Sequence, residues 1–218
     1  MAIIVGDIHG NVEKVKAFLA YRPDQLHVAL GDYCDSYHEP LERQLECLHL
    51  LMASDAVLLW GNHDLHYLRS PLFRFPGYDE RHAAQLQPLF EQAIDRFRPV
   101  CLVDGWFCSH AGLHSAKLSG GSVQELEHLI LTAWQQYLAD RSLGFRFQSL
   151  FKLDFVGIGC QPAGSIRQVV GHDHYREPGF VTPYCVAVGC SDVGTAWIFD
   201  TQQAAVLDLL QSETSTQE

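Results

Sequence analysis

Five short polar segments of the sequence combine aspartate, asparagine and histidine with neighbouring glycine. They are Gly6-Asp-Ile-His-Gly10, Gly31-Asp-Tyr-Cys-Asp35, Gly61-Asn-His-Asp64, Ser109-His-Ala-Gly112 and Gly171-His-Asp-His174. Carboxylate, amide and imidazole ligands together suit borderline or harder divalent ions such as manganese, iron, zinc or cobalt, and they do not form a soft thiolate site. The segments therefore predict a metal site.

The number and spacing of these residues indicate two metal ions. In an extended segment, side chains two positions apart point the same way, so we expect Asp7 with His9, and His172 with His174, to face one site. Seven candidate ligands are too many for one ion with an open position, and they suit two ions that share a carboxylate. The seven are Asp7, His9, Asp32, Asn62, His110, His172 and His174. Two ions roughly 3.5–4 Å apart can orient a phosphoryl group, activate a bridging water and stabilise a leaving oxygen.

The elements before the first three segments alternate between strand and helix. Short apolar runs ended by glycine predict strands at Ala2–Val5, Leu26–Leu30 and Ala56–Trp60. A helix is predicted after the N-cap Asn11, ending before Pro23, and a second over Pro40–Ala53. This order predicts an α/β fold with parallel strands, in which ligands gather at the carboxyl ends of the strands.

The rest of the chain is more varied. Helices are predicted over Glu80–Phe97 and Ser122–Asp140, the second with a capping box of Ser122 and Glu125. Strands are predicted at Val100–Val103 and Trp106–Ser109 as a hairpin, and at Arg167–Val170, Tyr184–Val188, Ala196–Phe199 and Ala205–Leu209. We find no repeat or linker, so we expect a single domain over residues 1–210 and a flexible polar tail over 211–218.

Composition narrows the partners and the compartment. The formal net charge is -11, without a run of lysine or arginine, which disfavours a nucleic-acid polymer or an anionic membrane as partner. A small phosphorylated substrate remains compatible, because bound divalent ions reverse the potential locally. Seven cysteines without a C-x-x-C pair, and the lack of a secretory leader or membrane-length apolar run, predict buried thiols in a cytoplasmic protein.

In this order, the five segments resemble the motifs of the calcineurin-like metallophosphoesterase superfamily. Ser109-His-Ala-Gly112 most resembles the branch that holds the Ser/Thr protein phosphatases and the symmetrical dinucleoside tetraphosphate hydrolases. The resemblance extends from about Ile3 to Gly194. It implies a dinuclear-metal-dependent phosphoester hydrolase with a four-layer α/β-β/α sandwich, in which helices flank two mixed β-sheets.

The resemblance also implies a role for each site residue. Asp7, His9 and His174 would bind one metal, Asp32 would bridge, and Asn62, His110 and His172 would bind the other. The two divalent ions would be manganese, with iron, zinc, cobalt or nickel as alternatives. A metal-bridging hydroxide would attack phosphorus, His63 would protonate the leaving oxygen as general acid, and Asp35 would orient His63.

One departure from the family bears on the substrate. Protein-phosphatase relatives usually carry Arg-Gly after the last aspartate of the second motif, where this chain has Ser36-Tyr37. Such an arginine clamps phosphate as a bidentate donor. Its replacement favours a small phosphomonoester or nucleotide polyphosphate as substrate; a Ser/Thr protein phosphatase and a catalytically silent metal-bearing scaffold are the alternatives. The arginines that could replace the clamp are Arg69, Arg74, Arg167 and Arg176.

Several residues near the motifs keep two interpretations. Asp64 is either a partner behind the metal ligands or a turn residue, and His66 either lines the cleft or is structural. His63 could position phosphate without donating a proton, and Asp35 could cap a loop. The aromatic residues after the third motif could form a substrate lid or pack under a long loop. They are Tyr67, Phe73, Phe75 and Tyr78.

Overall fold

Two mixed β-sheets form the centre of the protein. The structure is a computed structural model, and it describes residues 1–69, 71, 74, 76–113, 122–143, 166–172, 177–189 and 194–211. In spatial order, the strands of the first sheet are β11 (Ala205–Asp208), β10 (Trp197–Asp200), β1 (Ala2–Val5), β2 (Leu26–Ala29), β3 (Val57–Leu59) and β4 (Phe97–Arg98). The strands of the second sheet are β5 (Val100–Val103), β6 (Trp106–Ser109), β7 (Gln168–Val170), β9 (Cys185–Ala187) and β8 (Gly179–Thr182). The helices are α1 (Val12–Ala20), α2 (Leu41–Ala53), α3 (Asn62–Leu65), α4 (Glu80–Gln92) and α5 (Val123–Ala139).

The predicted parallel core is confirmed, within a sheet that is mixed. Strands β1, β2, β3 and β4 run parallel, and α1 and α2 connect the first three. Antiparallel pairing of β10 with β1 and of β11 with β10 extends this sheet on its other side. In the second sheet, β6, β7 and β9 are parallel, while β5 and β8 pair antiparallel at the edges.

Alternating residues of β1 belong to two different cores, because successive side chains of a strand point to opposite faces. Ala2 and Ile4 pack between the sheets in one apolar cluster with Val186 and Phe199. Ile3 and Val5 pack on the helical side. A strand covered on both faces needs apolar residues at every position, which explains the unbroken run at the start of the chain.

Helix α5 contacts the outer side of both sheets. Its Trp134 and Tyr137 belong to the large cluster around Trp60, whereas Ile130 packs with Phe107 of β6. The predicted capping box is present, with mutual hydrogen bonds between Ser122 and Glu125 at its amino end. Helices thus flank two packed mixed sheets, as the family resemblance implied.

The predicted helix over Glu80–Phe97 is wrong at its carboxyl end. Helix α4 ends at Gln92, a 3₁₀ turn follows over Ile94–Arg96, and Phe97 enters β4. Phe97 pairs with Leu58 of β3, and its ring stacks on Trp60 with centroids 4.6 Å apart. These contacts come from residues distant in sequence, so helical periodicity could not show them. The short α3 and the edge strand β8 were not predicted.

The described cysteines are all buried free thiols, namely Cys34, Cys47, Cys101, Cys108 and Cys185. This agrees with the expectation of buried thiols, although Cys160 and Cys190 lie outside the described residues. Across the described ranges, the helices are too short or too polar for a membrane crossing. Of the predicted tail, only Gln211 is described.

Candidate metal and catalytic site

Polar residues from both sheets meet at the carboxyl ends of five strands. Asp7 follows β1, Asp32 follows β2 and Asn62 follows β3, at the start of α3. His110 directly follows β6, and His172 comes two residues after β7. Of the predicted ligands, only His174 lies outside the described residues.

Asp32 lies between two groups of candidate ligands. Its Oδ2 is 3.3 Å from His110 Nε2 and 3.7 Å from His9 Nε2. One group combines Asp32 with Asp7 and His9, and the other combines it with His110 and His172; within each group the ligating atoms lie within 4.8 Å of one another. Asp32 is fully buried and is common to both groups. This is the arrangement that two cations sharing one carboxylate would need.

Two of the histidines point the same ring nitrogen at the centre of the site. Nδ1 of His9 lies 2.6 Å from the carbonyl oxygen of Cys34, and Nδ1 of His110 lies 3.1 Å from that of Leu30. A carbonyl oxygen can only accept, so Nδ1 carries the proton in both rings. In the neutral form of each ring, Nε2 then offers a lone pair to a cation, as is usual for metal-binding histidines.

The surroundings of His110 Nε2 favour a cation. This atom lies 2.9 Å from Asn62 Oδ1, 3.1 Å from His172 Nδ1 and 3.3 Å from Asp32 Oδ2. Its one proton could serve only one of these atoms at a time, whereas a divalent ion could bind several together. Burial opposes protonation, but the charge of Asp32 raises the pKa of His110 to about 9. The donor set therefore fits a divalent metal, because the negative potential that holds a proton also attracts a metal ion.

His9 and Asp32 are in the ionisation states that metal binding requires. Burial is the main influence on His9 and lowers its pKa, which keeps the ring neutral. Burial would raise the pKa of Asp32, but the neighbouring His110, His63 and His9 hold it well below the usual value. Asp32 is therefore an anion, and His9 offers a lone pair.

The backbone reaches the site through left-handed turns, so the expectation of extended segments is wrong for the described residues. φ is +42° at His9, +53° at Asp32 and +65° at His172. The N–H groups of Ile8 and His9 donate to the carbonyl of Asp32 at 2.9 and 2.8 Å, which holds the first two turns together. Non-glycine residues in this conformation cost about 1 kcal/mol each, a strain that often marks functional sites.

Glycines allow the two sheets to approach each other at the site. A Cβ at Gly171 would overlap Asp7 Oδ1, the atom that accepts a hydrogen bond from His172 N at 2.8 Å. A Cβ at Gly31 would overlap the backbone of Gly61. These two motifs begin with glycine because the space for a side chain is already occupied.

Asp64 lies behind the candidate ligands and also caps the turn that starts α3, so both interpretations of this residue apply. Its carboxylate accepts backbone hydrogen bonds from Asp32 and Gly61 through Oδ2, at 2.8 and 3.0 Å, and from Tyr33 through Oδ1 at 2.9 Å. Burial and the charge of Asp32 raise the pKa of Asp64 to about 7, although the N–H donors oppose this.

Lys14 is a site residue that the sequence did not reveal. It lies on α1, is almost fully buried, and donates from Nζ to the carbonyl oxygen of Asp7 at 2.7 Å. The sequence alone does not distinguish a lysine on the exposed face of an amphipathic helix from a lysine that reaches back to the preceding loop. The signal that could have found it is its position, one turn after the first motif.

His63 and Asp35 form a pair beside Asp32. Nδ1 of His63 lies 2.9 Å from Asp35 Oδ2, and the backbone N–H of His63 donates to Asp32 Oδ1 at 2.9 Å. Burial lowers the pKa of His63, but the bond to Asp35 and the nearby carboxylates prevail and raise it. Burial raises the pKa of Asp35, but the bonds from its neighbours prevail and lower it. An ionised Asp35 thus faces a histidine that readily takes a proton.

The structure distinguishes among the arginines that could replace the missing clamp. Ser36 Oγ accepts from the backbone N–H groups of His38 and Glu39, so this position is used for a local turn. Arg167 precedes β7 and lies over the ring of Trp106, at the opposite ends of the strands from His110 and His172, so it is excluded. Arg176 lies outside the described residues.

Arg74 and Arg69 remain as candidates. The guanidinium of Arg74 lies 4.4 Å from the centre of the Tyr78 ring. The adjacent Gly77 lies against the His63–Asp35 pair, because a Cβ there would be 3.3 Å from both Asp35 Oδ2 and His63 Cε1. Arg69 is exposed, and its backbone N–H donates to Glu91 of α4. Of the two, Arg74 is the one placed near the site, through Tyr78 and the neighbouring Gly77.

Both the sequence and the fold of this chain are similar to those of known proteins. The sequence matches the family profile of the calcineurin-like phosphoesterases over residues 2–176. No curated protein sequence matches the chain significantly. Among solved structures, a metallophosphoesterase from Sphaerobacter thermophilus is 19% identical with a TM-score of 0.50, and the match covers 95% of this chain and 86% of that one. A protein serine/threonine phosphatase from Saccharomyces cerevisiae, with similarity to human phosphatase PP5, is 15% identical with a TM-score of 0.52, covering 87% of this chain and 67% of the other. At these identities the structural matches show a shared fold.

Proposed function

This chain belongs to the calcineurin-like phosphoesterases and is a metal-dependent hydrolase of phosphoesters, and on that premise we propose that it hydrolyses small phosphomonoesters or nucleotide polyphosphates at a pair of divalent ions. The proposed ligands are Asp7, His9, Asp32, Asn62, His110, His172 and His174. His63 is the proposed general acid, and Asp35 orients it. Manganese is the proposed metal, with iron, zinc, cobalt or nickel as alternatives.

The observation that carries this proposal is the shared position of Asp32. Two groups of oxygen and nitrogen ligands meet at this one buried carboxylate, each containing at least one histidine. Divalent ions at such positions supply Lewis acidity towards phosphoryl oxygens and lower the pKa of an attacking water. Among the described residues, Asp32 is the only side chain that belongs to two such groups of candidate ligands.

The residues around the ions have separate tasks. Asp32 and Asp7 supply negative charge, and His9 and His110 present Nε2 lone pairs. His63 donates Nδ1–H to Asp35, so the proton that it can transfer is the one on Nε2. An alkoxide leaves a phosphoryl group more readily when it is protonated, and a histidine with a raised pKa holds such a proton near neutral pH.

Two observations support a small substrate over a phosphoprotein. Ser36, in the place of the usual clamp, is engaged by the backbone of its own turn. The formal net charge of -11 repels extended anionic partners, whereas one phosphate group can be held by the ions themselves. Phosphate binding in this chain would then depend mainly on metal, supplemented by Arg74 on the side of the His63–Asp35 pair.

A substrate panel tests the proposal. The manganese-loaded protein is assayed with p-nitrophenyl phosphate, its bis-ester, diadenosine tetraphosphate and a phosphopeptide. We expect turnover of the monoester or the polyphosphate, loss of turnover with EDTA, and recovery after manganese is added back. The Asp32→Asn variant is the control, because it lacks the shared anion.

The same panel distinguishes the alternatives. Preference for the phosphopeptide would make the chain a Ser/Thr protein phosphatase and contradict the proposed substrate class. Absence of turnover on every panel member, with two metal ions bound per chain, would instead support a metal-bearing scaffold. Parallel assays with iron, zinc, cobalt and nickel would identify the metal that best supports turnover.

A further inference from the structure

Three side chains converge on the carboxylate of Asp35. His63 Nδ1 lies 2.9 Å and His66 Nε2 lies 2.6 Å from Oδ2, while the hydroxyl of Tyr67 donates to Oδ1 at 2.5 Å. Asp35, His66 and Tyr67 are buried. Burial and the bond to Asp35 raise the pKa of Tyr67, so its hydroxyl remains a proton donor.

Both carboxylate oxygens of Asp35 have partners. The Tyr67 hydroxyl donates to Oδ1, and His63 Nδ1 lies 2.9 Å from Oδ2, the separation of a charge-assisted hydrogen bond. His66 Nε2 lies 2.6 Å from the same Oδ2 as an ion-pair contact without the geometry of a hydrogen bond. The ligating atoms of Asp35, His63 and His66 are also close enough together for a cation. Tyr67 is therefore the group that holds Oδ1, while His63 and His66 face Oδ2.

Tyr67 also connects this carboxylate to the segment that covers it. Its hydroxyl oxygen accepts a hydrogen bond from Asp79 N at 3.3 Å. Its ring stacks on Tyr78 with centroids 5.3 Å apart and planes 29° apart. Gly77, between Arg74 and Tyr78 in sequence, lies against Asp35 and His63. One phenol thus fixes both the carboxylate and the backbone beside the candidate proton donor.

We propose that Tyr67 is a positioning residue for protonation of the leaving group: its hydroxyl holds Asp35 in the orientation that keeps the His63 proton on Nδ1 and directs Nε2 at the substrate. This rests on the proposed phosphoester hydrolysis and on the role of His63 in it. A carboxylate fixed at Oδ1 cannot rotate away from the ring at Oδ2, so the histidine loses both tautomeric and rotational freedom. Tyr67 itself does not touch the substrate.

The test compares Tyr67→Phe with the wild-type protein on two aryl phosphates that differ by one nitro group. Phenyl phosphate has a poor leaving group that needs a proton, whereas p-nitrophenyl phosphate has a good leaving group that hardly does. For phenyl phosphate we expect kcat to fall about tenfold with KM within about twofold, and for p-nitrophenyl phosphate we expect little change. Tyr137→Phe, at a buried tyrosine of α5 that packs against Trp134, is the matched control and should behave as wild type on both substrates.

Two further measurements separate positioning from a general structural effect. In a His63→Ala background, Tyr67→Phe should have no additional effect on kcat, since there is no ring left to orient. Ring-nitrogen NMR of the zinc-loaded protein should show His63 protonated at Nδ1 in the wild type and a mixture of tautomers in Tyr67→Phe. An equal loss on both substrates, an effect that persists without His63, or an unchanged tautomer would each overturn the inference.

The outcomes also distinguish this inference from the proposed function. If the wild-type protein with metal bound turns over neither phosphate ester nor diadenosine tetraphosphate, the proposed function fails. The tautomer of His63 still decides whether Tyr67 orients it. If the wild-type protein is active and Tyr67→Phe matches it on phenyl phosphate, the proposed function survives and the positioning role is excluded.

Discussion

Asp64 Oδ2 accepts a hydrogen bond from the backbone N–H of Asp32 at 2.8 Å, which joins the third motif to the second. The same carboxylate also binds the N–H groups of Gly61 and Tyr33. Asp32 has a left-handed backbone with φ of +53°, which an aspartate adopts only at a cost. A side chain that is not itself a candidate ligand thus holds the central candidate ligand, Asp32, in its strained conformation.

Replacing Asp64 with asparagine should destabilise the protein. The amide keeps one acceptor oxygen and turns a donor towards at least one of the three N–H groups, leaving a buried donor without its acceptor. We expect a loss of about 2–4 kcal/mol in the free energy of unfolding, measured by urea denaturation. Asp55→Asn, at an exposed position after α2, should leave the urea midpoint unchanged. Equal midpoints for Asp64→Asn and wild type would show that the three bonds contribute little.

Replacing His63 with alanine should abolish most turnover without removing metal. Its ring donates to Asp35 and lies 5.5 Å from the ring of His9, beside the candidate ligands. Loss of a positioned general acid should lower kcat by about 10²–10⁴ for unactivated esters. Metal content is measured by elemental analysis, and His49→Ala, at an exposed position of α2, is the control. A loss of metal from His63→Ala would make His63 a ligand and contradict its assignment.

Replacing Gly171 with alanine should damage the site through Asp7. The new Cβ would overlap Asp7 Oδ1, so the carboxylate and the His172 N–H that it accepts must separate. We expect metal affinity to fall at least about tenfold, measured by titration calorimetry, together with a lower melting temperature. Gly105→Ala is a useful comparison, because a Cβ there meets no atom within 4 Å and the cost is confined to backbone strain at φ of +76°. Similar metal affinities in the two variants would show that Asp7 is not a ligand.

Metal binding should release a proton near neutral pH. Without metal, the pKa of His110 is raised to about 9, so the ring is protonated at pH 7.5 and must lose its proton to bind a cation. Affinity should therefore strengthen as pH rises towards 9, by about tenfold per pH unit. Calorimetry in two buffers of different ionisation enthalpy would count the released proton. A binding enthalpy that does not depend on the buffer would exclude His110 as a ligand.

Replacing Arg74 with alanine should weaken the binding of polyphosphates. Its guanidinium lies over Tyr78, next to Gly77, which lies against His63 and Asp35, the pair proposed to protonate the leaving group. We expect KM for diadenosine tetraphosphate to rise about tenfold, equivalent to about 1.4 kcal/mol, with a smaller change for p-nitrophenyl phosphate. Arg69→Ala is the matched control, as an exposed arginine whose backbone is bound to Glu91. If the two variants raise KM equally, a general loss of positive charge explains the effect.

Much of the fold could be predicted because local and long-range signals agree. The glycine-terminated apolar runs are confirmed as β1, β2 and β3, and the capping box of α5 is confirmed in its side-chain bonds. Strand β4 could not be predicted, because Phe97 is a strand residue only through its contacts with Leu58 and Trp60. A single domain over residues 1–210 stays a prediction.

For the site, residue types were predictable and conformations were not. Backbone torsion at His9 and His172 depends on contacts with Asp32 and Asp7, which are 23 and 165 positions away in sequence. Tyr67 and Asp35 meet across 32 positions. No local pattern encodes such pairings. The ligand roles of the seven residues, including His174, stay predictions until metal is measured.

The division of the ligands between the two sheets has a consequence for residues far from the chemistry. Asp7, Asp32 and Asn62 extend from one sheet, while His110 and His172 extend from the other. The separation of the two cation positions is therefore set in part by how closely the sheets pack, which depends on apolar side chains such as Val28, Leu59 and Val186. Substitutions that change the volume of that interior should alter metal spacing and catalytic rate together, although these side chains belong to the apolar cluster and not to the candidate site.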